Sequence, residues 1–251
     1  MIRPLLTKVK PANGFANIFH LLLLIILPAV VFILVRLQFE LLALIMVVLS
    51  KWRMFAVRPR FWAANIRANS VDIIVGLSIV FFMSHSSMAL GLQLAWAILY
   101  GVWLIFVKPR SSLLFTSIQS GIGQLCGLSA LYLAWASGPR LGLVFLTGLV
   151  CFLAARHFFD SFNEPYARLL SYLWGYFGAA LAWILSHWLL YYQIVAQPTL
   201  LLSALGYGLA VLYYLDHHGR LNKGLQRQFV CVMLAIVLVV LTFSDWADKA
   251  V

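Results

Sequence analysis

The sequence predicts an all-α polytopic bundle of transmembrane helices, with about nine spans, the N-terminus inside and the C-terminus outside. Three observations predict it. The 251 residues are 64% hydrophobic and 10% charged, with a mean hydropathy of +0.97. Soluble domains lie nearer half apolar and a quarter charged. The apolar residues form continuous runs rather than an alternation, which favours helices over a barrel. The net charge of +11 sits in short segments between those runs. That is the topological bias of membrane proteins, and it argues against a nucleic-acid partner.

In chain order the candidate spans are 18–35, 38–54, 69–88, 89–107, 113–136, 141–156, 169–192, 198–215 and 229–244. Arg3, Lys8 and Lys10 before Ile18–Val35 resemble a signal peptide. The run is long for that role and no small-residue cleavage site follows, so it reads as a retained anchor. The first connection, Arg36–Glu40, carries no Gly, Pro or Asn. Its alternative is one broken helix from Ile18 to Met54, kinked at Pro28, which gives eight spans and an outside N-terminus. The connections Ser84–Met88, Lys108–Ser112, Ser137–Arg140 and Gln193–Gln197 are short. Residues 1–251 thus read as a single membrane domain, with cytosolic segments at 1–17, 51–68, 156–168 and 216–228.

Charge sets the orientation. With nine spans and the N-terminus inside, 15 of 18 Lys and Arg fall on the cytosolic side, leaving Arg36, Arg140 and Lys249 outside. Eight spans would leave 12 against 6. The stretch Phe55-Ala-Val-Arg-Pro-Arg60 recurs as Ile105-Phe-Val-Lys-Pro-Arg110, which reads as a shared stop signal or a duplicated helix pair. Cys126, Cys151 and Cys231 each sit in an apolar run, so they read as packing residues rather than a disulfide or zinc framework. Gly123-x-x-x-Gly127, Gly178-x-x-x-Ala182 and Gly206-x-x-x-Ala210 place spans five, seven and eight in the bundle interior. Trp52, Trp62, Trp135, Trp188, Tyr191, Tyr192 and Trp246 fit interfacial aromatic belts.

Ionisable groups inside a membrane are costly, so they are where function is sought. Asn65, Asn69 and Asp72 recur at i, i+4 and i+7 on one helical face that Gly76 continues. They read either as contacts for a solute or as a cap, with Asp72 favoured by the helix N-terminus. After span six come Arg156, His157, Asp160, Asn163 and Glu164. Arg156 and Asp160 can pair at i, i+4. His157, Asp160 and Glu164 share a face if the helix reaches Glu164, and could hold a divalent metal. The plainer reading is a salt-bridged helix end. Asp216-His217-His218-Gly219 reads as a helix C-terminus with Gly219 as its cap. His85 and His187 lie near the outer face. They suit a bis-histidine haem or, more simply, hydrogen bonding. No GxSxG, HExxH or Walker loop is present.

The segment Lys51-Trp-Arg-Met-Phe-Ala-Val-Arg-Pro-Arg-Phe-Trp62 through Asn69 and Asp72, with Ala155-Arg-His-Phe-Phe159 and Glu164-Pro-Tyr166, resembles a family of multi-pass bacterial membrane proteins. The resemblance implies a bacterial inner-membrane location and no activity.

Three readings stand. The first is a transporter or channel for a small polar or cationic solute, with Asn65, Asn69, Asp72, Arg156 and Asp160 as its polar site. The second is an enzyme acting on a lipid headgroup, with a metal at His157, Asp160 and Glu164 and phosphate at Arg58, Arg60 and Arg67. The third is a structural or assembly subunit without a catalytic site. The expected partners are the bilayer and a small solute or lipid. No resident cofactor is expected beyond that divalent metal.

Overall fold

A computed structural model describes residues 15–55, 58–86, 89–135, 137–187, 191–192 and 195–244, with side chains from Leu24 onward except Arg53, Tyr191 and Tyr192. The readings above that fall on Arg3, Lys8, Lys10, Trp188, Trp246 and Lys249, and on the side chains just excepted, lie outside the described residues. Within them the helices are α1 (Phe15–Arg36), α2 (Glu40–Leu49), α3 (Trp62–Ser84), α4 (Leu90–Val102), α5 (Leu113–Trp135), α6 (Arg140–Ser161), α7 (Ala167–Leu185), α8 (Gln197–His217) and α9 (Lys223–Phe243). Short 3₁₀ turns occupy Trp52–Met54 and Pro59–Phe61, and α4 runs into one π-helical turn, Trp103–Val107. Strands β1 (Tyr191–Tyr192) and β2 (Val195–Ala196) pair antiparallel in the α7–α8 connection.

Each predicted run overlaps one helix, and the third, expected at 69–88, begins seven residues earlier at Trp62 and ends at Ser84. Among the described residues five segments are long and apolar enough to cross a membrane: Pro59–Ser84, Leu90–Val107, and helices α6, α8 and α9. Helices α5 and α7 have the length, 23 and 19 residues, but glutamine, serine, glycine and tyrosine lower their hydropathy. The seventh run ends at Leu185 and not at 192, because Tyr191-Tyr192 form the strand that aromatic residues favour.

The expected second span, 38–54, is also corrected. Helix α2 has 10 residues, about 15 Å of rise and half a hydrocarbon core. It ends where Ser50 Oγ donates back to Val47 O at 2.6 Å and the chain turns to bring Lys51 into the bundle. A single broken helix from Ile18 to Met54 does not form. Gln38 takes a φ of 65°, and the Phe39 and Gln38 amides donate to Leu34 O and Val35 O at 2.8 and 3.0 Å. This is a Schellman ending made without glycine, and it folds α2 back against α1.

Helices α1 to α4 share one apolar core, including Val31, Val47, Val75, Ile79, Tyr100 and Leu104. Helix α3 is central: half of its apolar window is buried, against 11% in α9. Helix α5 packs on α3 with Gly127, where an added Cβ would lie 2.6 Å from Ile74 Cγ2. Helices α6 and α7 meet backbone to backbone at Gly148 and Gly175, the small-residue contact that lets helices approach in lipid. Helix α9 leans on α8 alone among the helices it packs against closely. Many Ser and Thr hydroxyls bond to carbonyls of their own helix, such as Ser78 to Ile74 O at 2.7 Å and Ser171 to Ala167 O at 2.6 Å. That bonding makes polar residues tolerable in an apolar surround.

Candidate functional site: a carboxylate between two lysines

Helix α3 begins at Trp62, preceded by Phe61 with no side-chain cap. Asn69 and Asp72 therefore sit in its second and third turns, and the capping reading is replaced. Asp72 is buried, at 7% exposure. Its carboxylate forms ion pairs with Lys51 and, at 2.6 Å, with Lys108 Nζ. Trp103 Nε1 donates to its other oxygen at 2.8 Å.

The π-turn is what brings Trp103 and Lys108 to the same carboxylate. In an α-helix, residues five apart point about 140° away from each other. The i→i+5 bond from the Lys108 amide to Trp103 O, at 2.9 Å, widens that turn and lets both side chains face α3. Such π-bulges recur at functional positions. One turn above Asp72, Gly76 leaves room for Tyr100: an added Cβ would meet its hydroxyl at 2.8 Å. That hydroxyl is buried and has no hydrogen-bond partner among the described residues.

Beside the ion pairs lies a cavity of about 170 Å³, whose polar lining is Asn69, Asp72, Trp103, Lys108, Gln119 and His157. Gln119 Nε2 donates to Val107 O and Arg110 O at 2.7 and 2.9 Å, just beyond the π-turn, where Val107 O also accepts the Arg110 amide at 3.3 Å. Those two bonds fix the amide orientation, so its Oε1 faces His157 Nε2 at 3.2 Å as an acceptor. The His157 proton is thereby assigned to Nε2. Asn69 Nδ2 donates to Asn65 O at 2.9 Å, and Asn65 Nδ2 to Met54 O at 3.2 Å. Asn65 thus ties the turn that carries Lys51 to α3.

On the rim, Arg156 pairs with Asp160 at 3.0 Å, as the i, i+4 spacing predicts, and Arg67 approaches Asp160 at 3.8 Å across from α3. Both Arg67 and Asp160 are more than a third exposed, so that cross-helix pair adds little stability. Glu164 is not on the His157–Asp160 face, because α6 ends at Ser161 and Asn163 takes a φ of 53°. It accepts the Tyr213 hydroxyl instead. The three side chains named for a metal thus face three different partners. Among the described residues no group of three His, Cys, Asp or Glu is placed to hold one. Arg58 and Arg60 are exposed, with Arg60 4.6 Å from the centre of the Phe61 ring.

Gly219 has a φ of 62°, and the amides of Gly219 and Arg220 close α8 onto Asp216 O and Leu215 O, each at 2.8 Å. The Asp216-His217-His218 stretch is therefore a helix ending. His85 and His187 bond back to Phe81 O and Trp183 O at 3.0 and 2.9 Å.

Sequence reading found Asp72 and missed Lys51, Trp103, Lys108 and Gln119. The available signal was that Lys51 and Lys108 flank the helix pair holding the only acid in its interior. If Trp103 is a structural donor to a buried carboxylate, Trp103→Phe should cost about 1.5–3 kcal/mol. Thermal unfolding of the detergent-purified protein checks this, and an unchanged melting temperature would contradict it. No family model matches the chain, and neither curated proteins nor solved structures give a match.

Proposed function

We propose that the chain is a nine-crossing protein of a bacterial cytoplasmic membrane, N-in and C-out, that passes a small anionic solute through a cytosol-facing vestibule at Asp72. The carrying observation is the charge of the buried cluster. One carboxylate with two ammonium groups leaves a net positive charge at low dielectric, where charge–charge attraction is strong. Both Asp72 oxygens are already engaged, so a cation would have to displace a lysine. An anion needs only the ammonium of Lys108, which lines the cavity and whose side chain is 33% exposed. The expectation of a small polar or cationic solute thus gives way to a polar, anionic one that accepts hydrogen bonds. Arg58, Arg60 and Arg67 would raise the local anion concentration at the mouth. Arg156 and Asp160 would brace the α3–α6 rim. The basic end of the bundle is then the cytosolic one.

This reading has a pH signature. Lys51 lies in the turn beyond α2, and with Lys108 it places two ammonium groups on the one Asp72 carboxylate. Raising pH far enough to remove a proton from either lysine would neutralise the cluster, so anion affinity should be lower at strongly alkaline pH.

Thermal unfolding against a panel of small oxyanions and cations tests the reading. A ligand at a hundredfold its dissociation constant adds about 2.7 kcal/mol. The expected result is stabilisation by an oxyanion at pH 7 that is lost in Lys108→Met. Stabilisation by cations alone, or by nothing, would overturn it.

A further inference from the structure

The hydrogen bonds made around the Asp72 cavity leave its lining with an uneven set of free groups. Most of the donors are engaged. Trp103 Nε1 donates to Asp72, both protons of Gln119 Nε2 go to carbonyls, and the Nε2 proton of His157 goes to Gln119 Oε1. Only Lys108 and Asn69 keep N–H groups beyond those in use. The acceptors are in the opposite condition. With its proton on Nε2, His157 has a bare Nδ1. Asn69 turns its Nδ2 back to Asn65 O, which fixes Oδ1 as the free end of the amide. Among the described residues neither Asn69 Oδ1 nor His157 Nδ1 accepts a hydrogen bond.

Space and charge narrow the guest further. The cavity of about 170 Å³ has room for about six non-hydrogen atoms, at the roughly 30 Å³ that a water occupies in the liquid. Two ammonium groups against one carboxylate leave the cluster a net charge of +1. A monoanion neutralises it. A dianion would leave an excess negative charge away from water, which is costly. Ala68, Val71 and the Trp103 ring complete the wall and suit a carbon skeleton.

Resting on the anion reading above, we infer that the solute is a short hydroxymonocarboxylate. Its carboxylate is held by Lys108, and its hydroxyl donates to Asn69 Oδ1, which lies one turn from Asp72 on the same face of α3. The free acceptors are what select it. A guest that fills the cavity excludes the water that would otherwise donate to them. A guest without a donor then leaves them unpaired, and a site built to pair a hydroxyl discriminates against the analogue that lacks one.

The test is thermal unfolding of the detergent-purified protein with glycolate and with propionate at pH 7. The two acids match in charge and in number of non-hydrogen atoms, and differ by a hydroxyl in place of a methyl. Glycolate should stabilise at roughly tenfold lower concentration, the effect of one hydrogen bond. Oxalate, a dianion of similar size, should stabilise less than glycolate. Asn69→Leu keeps the side-chain volume, and the one hydrogen bond it removes among the described residues is to its own helix. It should bind propionate about as well as wild type and lose the preference for glycolate. Equal response to glycolate and propionate, a stronger response to oxalate, or a glycolate preference that survives Asn69→Leu would each overturn the hydroxy-acid assignment and leave the anion site standing. No response to any oxyanion would overturn both.

Discussion

Asp72→Asn is expected to destabilise the protein by about 3–5 kcal/mol, the usual effect of removing one partner from a buried ion pair. Asparagine keeps the size of the side chain and can still accept from Trp103 Nε1. It cannot neutralise Lys51 and Lys108. Lys51 is 7% exposed, so its uncompensated charge stays buried and most of the loss arises there. Lys108 is a third exposed and recovers part of its solvation. A charge-free replacement, Lys51→Met with Asp72→Leu and Lys108→Met, should recover much of the stability, because apolar side chains of similar volume often replace a buried ionic cluster without penalty. It should still fail to bind an anion. Chemical or thermal unfolding of the three proteins, wild type, Asp72→Asn and the triple replacement, separates the two effects. A single variant as stable as wild type would show that Asp72 is not closed on by two cations.

Gly175→Leu is the second large effect. A Cβ at Gly175 would lie 2.9 Å from Phe152 Cβ and 3.0 Å from Gly148 O, and one at Gly148 would lie 3.0 Å from Gly175 O. Two of these contacts are to backbone, which cannot rotate away, so α6 and α7 must separate. The expected loss is about 1–3 kcal/mol or more. Gly121→Leu is the control, with the same change of residue in open space. It should be neutral or slightly stabilising, since leucine is the better helix former. Equal melting temperatures for the two variants would contradict the close α6–α7 approach.

What the sequence made legible follows from what is local. Apolar runs located every helix, and Gly219 and the Arg156–Asp160 spacing were read correctly because a cap and an i, i+4 pair depend on neighbouring residues alone. The α1–α2 turn was ambiguous because Gln38 adopts a left-handed conformation with no glycine to announce it. Helix α2 was read too long because Lys51 ends it through a partner 21 positions further along the chain. Asp72 was found as an isolated acid, but its partners were not. Trp103 and Lys108 share a face only in a π-turn, and a period of 3.6 places them apart. Glu164 was placed on a metal-binding face by extending the helix through Asn163, although Asn163 and Pro165 are the local signals that end it.

The most direct test of the central claim is charge movement by the reconstituted protein on a solid-supported membrane after a concentration jump of a small oxyanion. Anion passage at the Asp72 cluster predicts a transient with the sign of a moving negative charge, absent in Lys108→Met. No anion-driven transient, or a cation-driven one that survives in Lys108→Met, would contradict it.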